Sequence, residues 1–382
     1  MENNNFMRCP PSPRFARRSA HTGCRLHRQS LGSLPNRGFA AQGGAAQSFV
    51  VAVALLFAMT LVACKRDAAS TTASDGGAKV AALRIAVIPK GTTHEFWKSV
   101  HAGAAKAAKE TDVVIVWKGP LKEDDLKQQI DVVQSFTDQK VAGIVLAPLS
   151  DKALVGPVKA ATQAKIPVVV FDSDLQSDDT VSFVATDNYV AGMMAAHEMA
   201  RRLGDKGDVV VLRYQEGSAS TSNRERGFLD GMKLHPGTKV VSDSQYGGAT
   251  TESASKASEN LLAAQKAAAG AIAGVFAPNE STTFGMLLAL RKAGLEKKIH
   301  FIGFDSSDKL VQAVRDGDID ALVLQNPFDI GYLAVKTMAD HLRGKKVDKR
   351  IDTGAKLVTK DNVDTPAIKE LLSPDLAKWL AE

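Results

Sequence analysis

Five chemically capable side chains fall within eight residues: Lys90, His94, Glu95, Phe96 and Trp97, in the stretch IPKGTTHEFW at the end of an apolar run. A lysine, a histidine and a carboxylate so placed could move protons in general acid–base catalysis. The two rings could instead cover the apolar face of a polyhydroxylated molecule while the polar groups bond its hydroxyls. Further along, Asp172, Arg224, Asn279, Asp305 and Gln325 follow other apolar runs. Carboxylates and amides accept from and donate to vicinal hydroxyls, and arginine adds a fixed fork of donors. Nothing comparable asks for turnover. No GxGxxG follows the first strand, and GxxxxGK[ST], HExxH and GxSxG are all missing. The expectation is a binding protein, not an enzyme, with no cofactor and no metal.

Those residues need elements to hold them. From Leu83 onward, β-branched runs at 83–88, 113–117, 143–148, 166–172, 181–185, 208–214, 239–243, 273–278, 299–305 and 320–325 alternate with amphipathic helical stretches. Continuous apolar strands separated by helices predict parallel sheets covered on both faces. Ten strands is a large number for one sheet. A division near Thr186-Asp187 gives two doubly wound α/β halves, and ligands of such sheets sit beyond the carboxyl ends of the strands.

The first 64 residues carry seven arginines, no lysine and one acid; with these removed from the chain's 48 bases and 42 acids, 41 of each remain. The bulk charge therefore predicts no nucleic-acid face. Residues 49–58 (FVVAVALLFA) form an apolar run behind the arginine-rich segment, too short for a comfortable span and right for a signal-peptide core. LVAC at 61–64 resembles the lipobox of bacterial lipoproteins, which makes Cys64 the lipidation site, with the polar tether KRDAASTTASDGGAK behind it. Cys9 and Cys24 precede Cys64, so no disulfide is expected in the mature chain. The division is then a presequence at 1–63, a tether at 64–82, one lobe at 83–186 plus 326–353, a second at 187–325 plus 354–360, and a tail at 361–382.

The motifs Phe96-Trp97, VVVFDS (168–173), VATDN (184–188), STSNRERGF (220–228), FAPNE (276–280), IGFDSS (302–307) and LQNPFDIG (324–331) follow one another in a telling order. In that order and spacing, about Leu83 to Thr359 resembles the periplasmic binding proteins of the ribose/galactose type. The resemblance implies the type I fold: two doubly wound parallel-sheet lobes joined by a three-segment hinge, here at Thr186-Asp187, Gln325-Asn326 and Thr353-Gly354. It also implies a monomeric, envelope-located receptor that hands a monosaccharide or related polar ligand to an ABC permease. A sensory lipoprotein is the alternative, ahead of a repressor core or a sugar-processing enzyme.

By the same resemblance, Asp172, Arg224, Asn279, Asp305 and Gln325 match ligand-bonding positions, and Phe96 and Trp97 match stacking positions. Three positions depart: Ser173 stands for a frequent arginine, Lys90 for a small hydroxyl residue and His94 for asparagine. All three belong to the expected ligand set, and the departures point away from ribose. Tyr246 is the second-lobe aromatic on offer. Plainer roles stand beside these. Phe96 shares a helical stripe with Val100, Ala104 and Ala108, so core packing fits it as well as stacking does. Trp97 lies about 100° off that stripe and is the better platform. Asp172, Asp305 and Asn279 could simply cap helices, Arg226 competes with Arg224, and Lys90, His94 and Glu95 could be solvated rim. On this view Arg224→Ala and Asp305→Ala abolish binding without changing the melting temperature of the ligand-free protein.

Overall fold

The computed structural model describes residues 82–380, which belong to one compact unit, Gly76–Glu382. The signal-peptide, lipobox and tether expectations lie outside the described residues. The first half runs β1 (Arg84–Ile88), α1 (Glu95–Glu110), β2 (Val114–Trp117), α2 (Leu126–Asp138), β3 (Gly143–Leu146), α3 (Val155–Gln163), β4 (Val168–Phe171) and β5 (Ser182–Ala185). The next stretch repeats the pattern with α4 (Asn188–Leu203), β6 (Gly207–Arg213), α5 (Ala219–Met232), β7 (Thr238–Tyr246), α6 (Thr251–Ala264), β8 (Gly274–Phe276), α7 (Glu280–Ala293), β9 (His300–Phe304), α8 (Asp308–Asp316) and β10 (Ala321–Leu324). The chain closes with α9 (Pro327–Leu342), β11 (Arg350–Asp352), β12 (Lys356–Thr359), α10 (Pro366–Leu372) and α11 (Ala377–Leu380).

Two six-stranded sheets result, ordered β11-β5-β4-β3-β1-β2 and β12-β10-β9-β8-β6-β7. Every strand pair is parallel except β10 with β12. The apolar runs explain this directly. Strands such as GIVL in β3 and VVVF in β4 are buried along their whole length, which requires helices on both faces. Each sheet accordingly carries two hydrophobic clusters, one per face. Ten strands match the apolar runs. The other two, RID in β11 and KLVT in β12, are short and partly exposed, so no apolar run announces them.

Helices approach closely where small residues permit it. A Cβ on Gly192 in α4 would stand 2.1 Å from the carbonyl oxygen of Arg224 in α5; only glycine lets the two backbones meet there. That contact sets the position of α5 against its sheet, and α5 carries Arg224. The connections between the sheets lie side by side. Thr353 N–H donates to Ala185 O at 3.2 Å, Thr186 Oγ1 donates to Gly354 O at 3.0 Å, and Asp187 N–H donates to Asp352 Oδ1 at 3.0 Å. Asp187 and Asn326 also cap α4 and α9. The C-terminal stretch folds as well: Ile368 is buried, Leu371 and Leu372 pack on the second sheet's core, and Lys109 of α1 lies over the Trp379 ring at 5.8 Å.

Candidate ligand site between the lobes

The strand ends of both sheets face one another. Asp172 and Asp305 follow β4 and β9 in the left-handed backbone region, at φ 59° and 63°. Aspartate tolerates that region better than most residues, and the turn directs both carboxylates into the cleft. Lys90, just past β1, is 3% exposed, with Nζ 2.9 Å from Asp172 Oδ2. The same Nζ reaches across the cleft to Ser220 Oγ at 2.9 Å and Ser218 Oγ at 3.3 Å. Lys90 is therefore a buried cation and not a solvated rim residue.

Arg224 is 2% exposed. Its Nε donates to Asn188 Oδ1 at 2.8 Å and Nη1 to Pro278 O at 2.9 Å, while Nη1 lies 3.7 Å from Asp305 Oδ2. The guanidinium also covers the Phe304 ring at 4.1 Å. Burial pulls Arg224 down from its ordinary pKa and raises that of Asp305; each opposes the shift of the other through its charge. Asp305 Oδ1 accepts from Gln325 Nε2 at 2.7 Å and Oδ2 from the Glu280 N–H at 3.2 Å. Two buried atoms of this set have no hydrogen-bond partner among the described residues: Arg224 Nη2 and Gln325 Oε1. Asp172 Oδ2 has its ion-pair contact with Lys90 but no hydrogen-bond geometry.

The aromatic wall differs from the helical-stripe expectation. Trp97 is 2% exposed and Phe96 9%, so Trp97 is the more deeply packed of the two. Helix α1 is covered from more than one side, by α9 and by the loop at 118–125. Phe96 meets Trp97 edge-on at 4.9 Å, and Trp97 meets Phe171 edge-on at 6.1 Å. The indole Nε1 donates to Glu123 Oε1 at 2.7 Å. The same oxygen lies 2.5 Å from His94 Nδ1, and Tyr214 OH donates to Glu123 Oε2 at 2.7 Å from the opposite lobe. Burial opposes charge on both partners, yet their mutual attraction wins. His94 is raised to about 9, and Glu123, with Lys90 and Tyr214 also helping, is lowered to about 2. Glu280 accepts from the N–H groups of Glu95 and Phe96 at 3.4 and 3.2 Å, placing a carboxylate at the N-terminus of α1 from across the cleft. Burial raises its pKa to about 7.

Nine of the ten residues singled out from sequence line one cavity: Lys90, His94, Phe96, Trp97, Asp172, Arg224, Asn279, Asp305 and Gln325. Ser173 does not. It is fully buried behind the cavity, where its Oγ accepts from the Ser220 N–H at 3.0 Å. Asn279 is an N-cap as well: its Oδ1 accepts from Thr282, and its Nδ2 donates to Ser281 Oγ. Tyr246 is 41% exposed and lines no part of the cavity; Tyr214, fully buried, is the second-lobe ring. Glu95 pairs with Lys98 at the surface. Sequence reasoning missed Glu123, Tyr214, Ser220, Thr221 and Glu280 as lining residues. Four of them follow strands whose ends were already of interest. Glu123 lies six residues past β2, in the loop before α2.

The cavity has a volume of about 30 Å³, water-sized and far below the few hundred Å³ of a small-molecule pocket. A ring-sized ligand does not fit the cavity at this separation of the two sides. Bonds from Lys90 to Ser220, Tyr214 to Glu123 and Phe96 to Glu280 tie the sides together across it.

Two α/β lobes that converge polar strand ends and rings on one interior define a class of protein, the receptor that closes on a small polar solute. The chain belongs to the periplasmic binding proteins: the periplasmic binding protein domain is matched over residues 85–346. It is 28% identical over 264 residues to the ribose import binding protein RbsB of Haemophilus influenzae, spanning 69% of this chain and 87% of that protein. The RbsB of Bacillus subtilis is 31% identical over 266 residues, 69% of this chain and 83% of that one. Among solved structures, a carbohydrate transporter solute-binding protein from Agrobacterium radiobacter in complex with D-arabinose is 36% identical at TM-score 0.73, covering 77% of this chain and 100% of that one. An ABC transporter solute-binding protein from Agrobacterium vitis with bound D-fucose is 36% identical at TM-score 0.72, with coverages of 76% and 100%.

Proposed function

We propose that this protein is the sugar receptor of an ABC importer, capturing a monosaccharide or similar polyol between its lobes and presenting it to the permease. The observation that carries this reading is a pair of buried polar atoms without partners, Arg224 Nη2 and Gln325 Oε1, facing one cavity from the second lobe and the crossover. A hydroxyl is both donor and acceptor, so a polyol satisfies both atoms, while burial without a ligand costs each its lost hydrogen bond. Lys90, His94, Asp172, Asn279 and Asp305 supply the surrounding polar groups, and Phe96 and Trp97 the ring wall. The arabinose and fucose complexes of the similar Agrobacterium proteins agree with that chemistry. The lobes are 83–186 with 326–353 and 187–325 with 354–360. Closure is driven by the ligand, because its contacts from both lobes coexist only in the closed form.

A thermal-shift screen over pentoses, hexoses, 6-deoxyhexoses and polyols tests the reading. A cognate sugar at a thousandfold its Kd stabilises the protein by about 4 kcal/mol; no shift with any of them would sink the proposal. The receptor is held at the membrane through lipidated Cys64. Cys64→Ala should move it to the soluble envelope fraction, and retention in the membrane fraction would argue for a different anchor.

A further inference from the structure

Glu123 stands in the loop between β2 and α2 with its side chain 7% exposed. Three rings bond its carboxylate: His94 and Trp97 from the first lobe, Tyr214 from the second. Its backbone carbonyl accepts from Gln215 Nε2 at 2.8 Å, again across the cleft. Gly91 makes the room, since a Cβ there would stand 2.8 Å from Glu123 Cγ. A carboxylate so fully engaged has little acceptor capacity left for a ligand. What it determines is the placement of three rings and the charge of the cavity.

That charge is balanced pair by pair. Each cation lining the cavity faces its own carboxylate: Lys90 with Asp172 at 2.9 Å, His94 with Glu123 at 2.5 Å, Arg224 with Asp305 at 3.7 Å. The remaining carboxyl, Glu280, is occupied by two backbone N–H groups of α1. An anionic ligand would have to displace one carboxylate from its cation inside a site closed to water, where an unpaired charge is costly. Resting on the sugar-receptor reading above, we propose that Glu123 is the specificity-setting positioning residue of the cleft. By neutralising His94 and fixing rings from both lobes, it restricts the ligand to an uncharged polyhydroxylated ring and turns away sugar acids.

D-fucose, D-galactose and D-galacturonate differ only at C6, as methyl, hydroxymethyl and carboxylate, and calorimetric titration with each tests the proposal. The wild type should bind the best of the neutral pair at least roughly tenfold more tightly than galacturonate. In Glu123→Gln, which keeps the side chain's size, titration at about pH 5, acidic enough to favour the His94 proton without its partner, should show neutral binding weakened while the galacturonate-to-neutral affinity ratio rises by roughly tenfold or more. His94→Gln removes the opposite charge, so its ratio should fall below that of the wild type; it decides the matter alone if Glu123→Gln does not fold. A Glu123 that merely supports the fold would weaken all three sugars alike, and an unchanged ratio in the folded variants overturns the inference. Equal binding of galacturonate and galactose by the wild type overturns it too. A wild type that binds no neutral sugar from any class overturns the receptor reading instead.

Discussion

Replacing His94 by glutamine leaves a hydrogen-bond donor beside Glu123 but removes the positive charge, and the structure sets the size of the effect. The rise of His94 from 6.5 to about 9, at about 1.4 kcal/mol per pKa unit, corresponds to roughly 3 kcal/mol of folding stability. The depression of Glu123 to about 2 reflects largely the same ion pair and is not counted again. The pH dependence follows from the signs. A histidine raised on folding contributes fully below its unfolded value of 6.5, and that contribution is lost as pH rises through about 9. A carboxylate lowered on folding contributes above its unfolded value of 4.5, and that contribution is lost as pH falls through about 2. The pair is therefore worth most between about pH 4.5 and 6.5. Urea unfolding at pH 5.5 should find His94→Gln less stable than wild type by roughly 3 kcal/mol, with the gap closing by pH 10. Other groups titrate in both proteins, so the difference between the curves isolates His94. A gap that is absent at pH 5.5, equal at both pH values, or accompanied by a His94 NMR titration near 6.5 would refute the ion pair.

Arg224→Ala should abolish sugar binding and also lower stability, by about 3–5 kcal/mol, because it strands Asp305 in the interior; calorimetry and the melting temperature of the ligand-free protein read the two effects. That revises the unchanged melting temperature expected from sequence, where the burial of Arg224 against the Phe304 ring is not visible. Asp305→Asn, close in shape, should lose affinity with a smaller stability cost, since burial already disfavours the charge of Asp305; a cost equal to that of Arg224→Ala would refute this. Gly192→Ala forces α4 and α5 apart and should cost about 1–3 kcal/mol. The same variant should weaken ligand binding by displacing Arg224, and an unaltered Kd would show that α5 tolerates the shift.

Much of the site was legible because its residues sit where strand chemistry is local. Asp172 and Gln325 end fully buried apolar strands and Asp305 ends one buried at all but its first residue, and such strands are recognisable from four or five residues of sequence. Parallel sheets open their carboxyl ends toward one side, so naming the strands nearly names the site. Glu123 escaped because it lies six residues past β2, an edge strand with no fully buried residue, in a loop whose path no periodicity describes. The depth at which Trp97 is packed was hidden for a related reason. A helical stripe tells which face meets a sheet, but not that a loop from elsewhere covers the neighbouring face. Tyr246 stood as the second-lobe ring from sequence, but it lies on the surface, and Tyr214 at the end of β6 is the ring buried in the cleft.

The amino-acid sequence by itself determined the two doubly wound sheets, their strand ends and the polar residues placed there, since burial on both faces of a strand dictates an apolar run that can be read directly. Only the tertiary structure decided which groups pair across the cleft. Lys90 meets Ser220 at a separation of 130 residues, and Glu123 meets Tyr214 at 91. Those partnerships depend on how the two lobes close on one another, a geometry that no local pattern encodes.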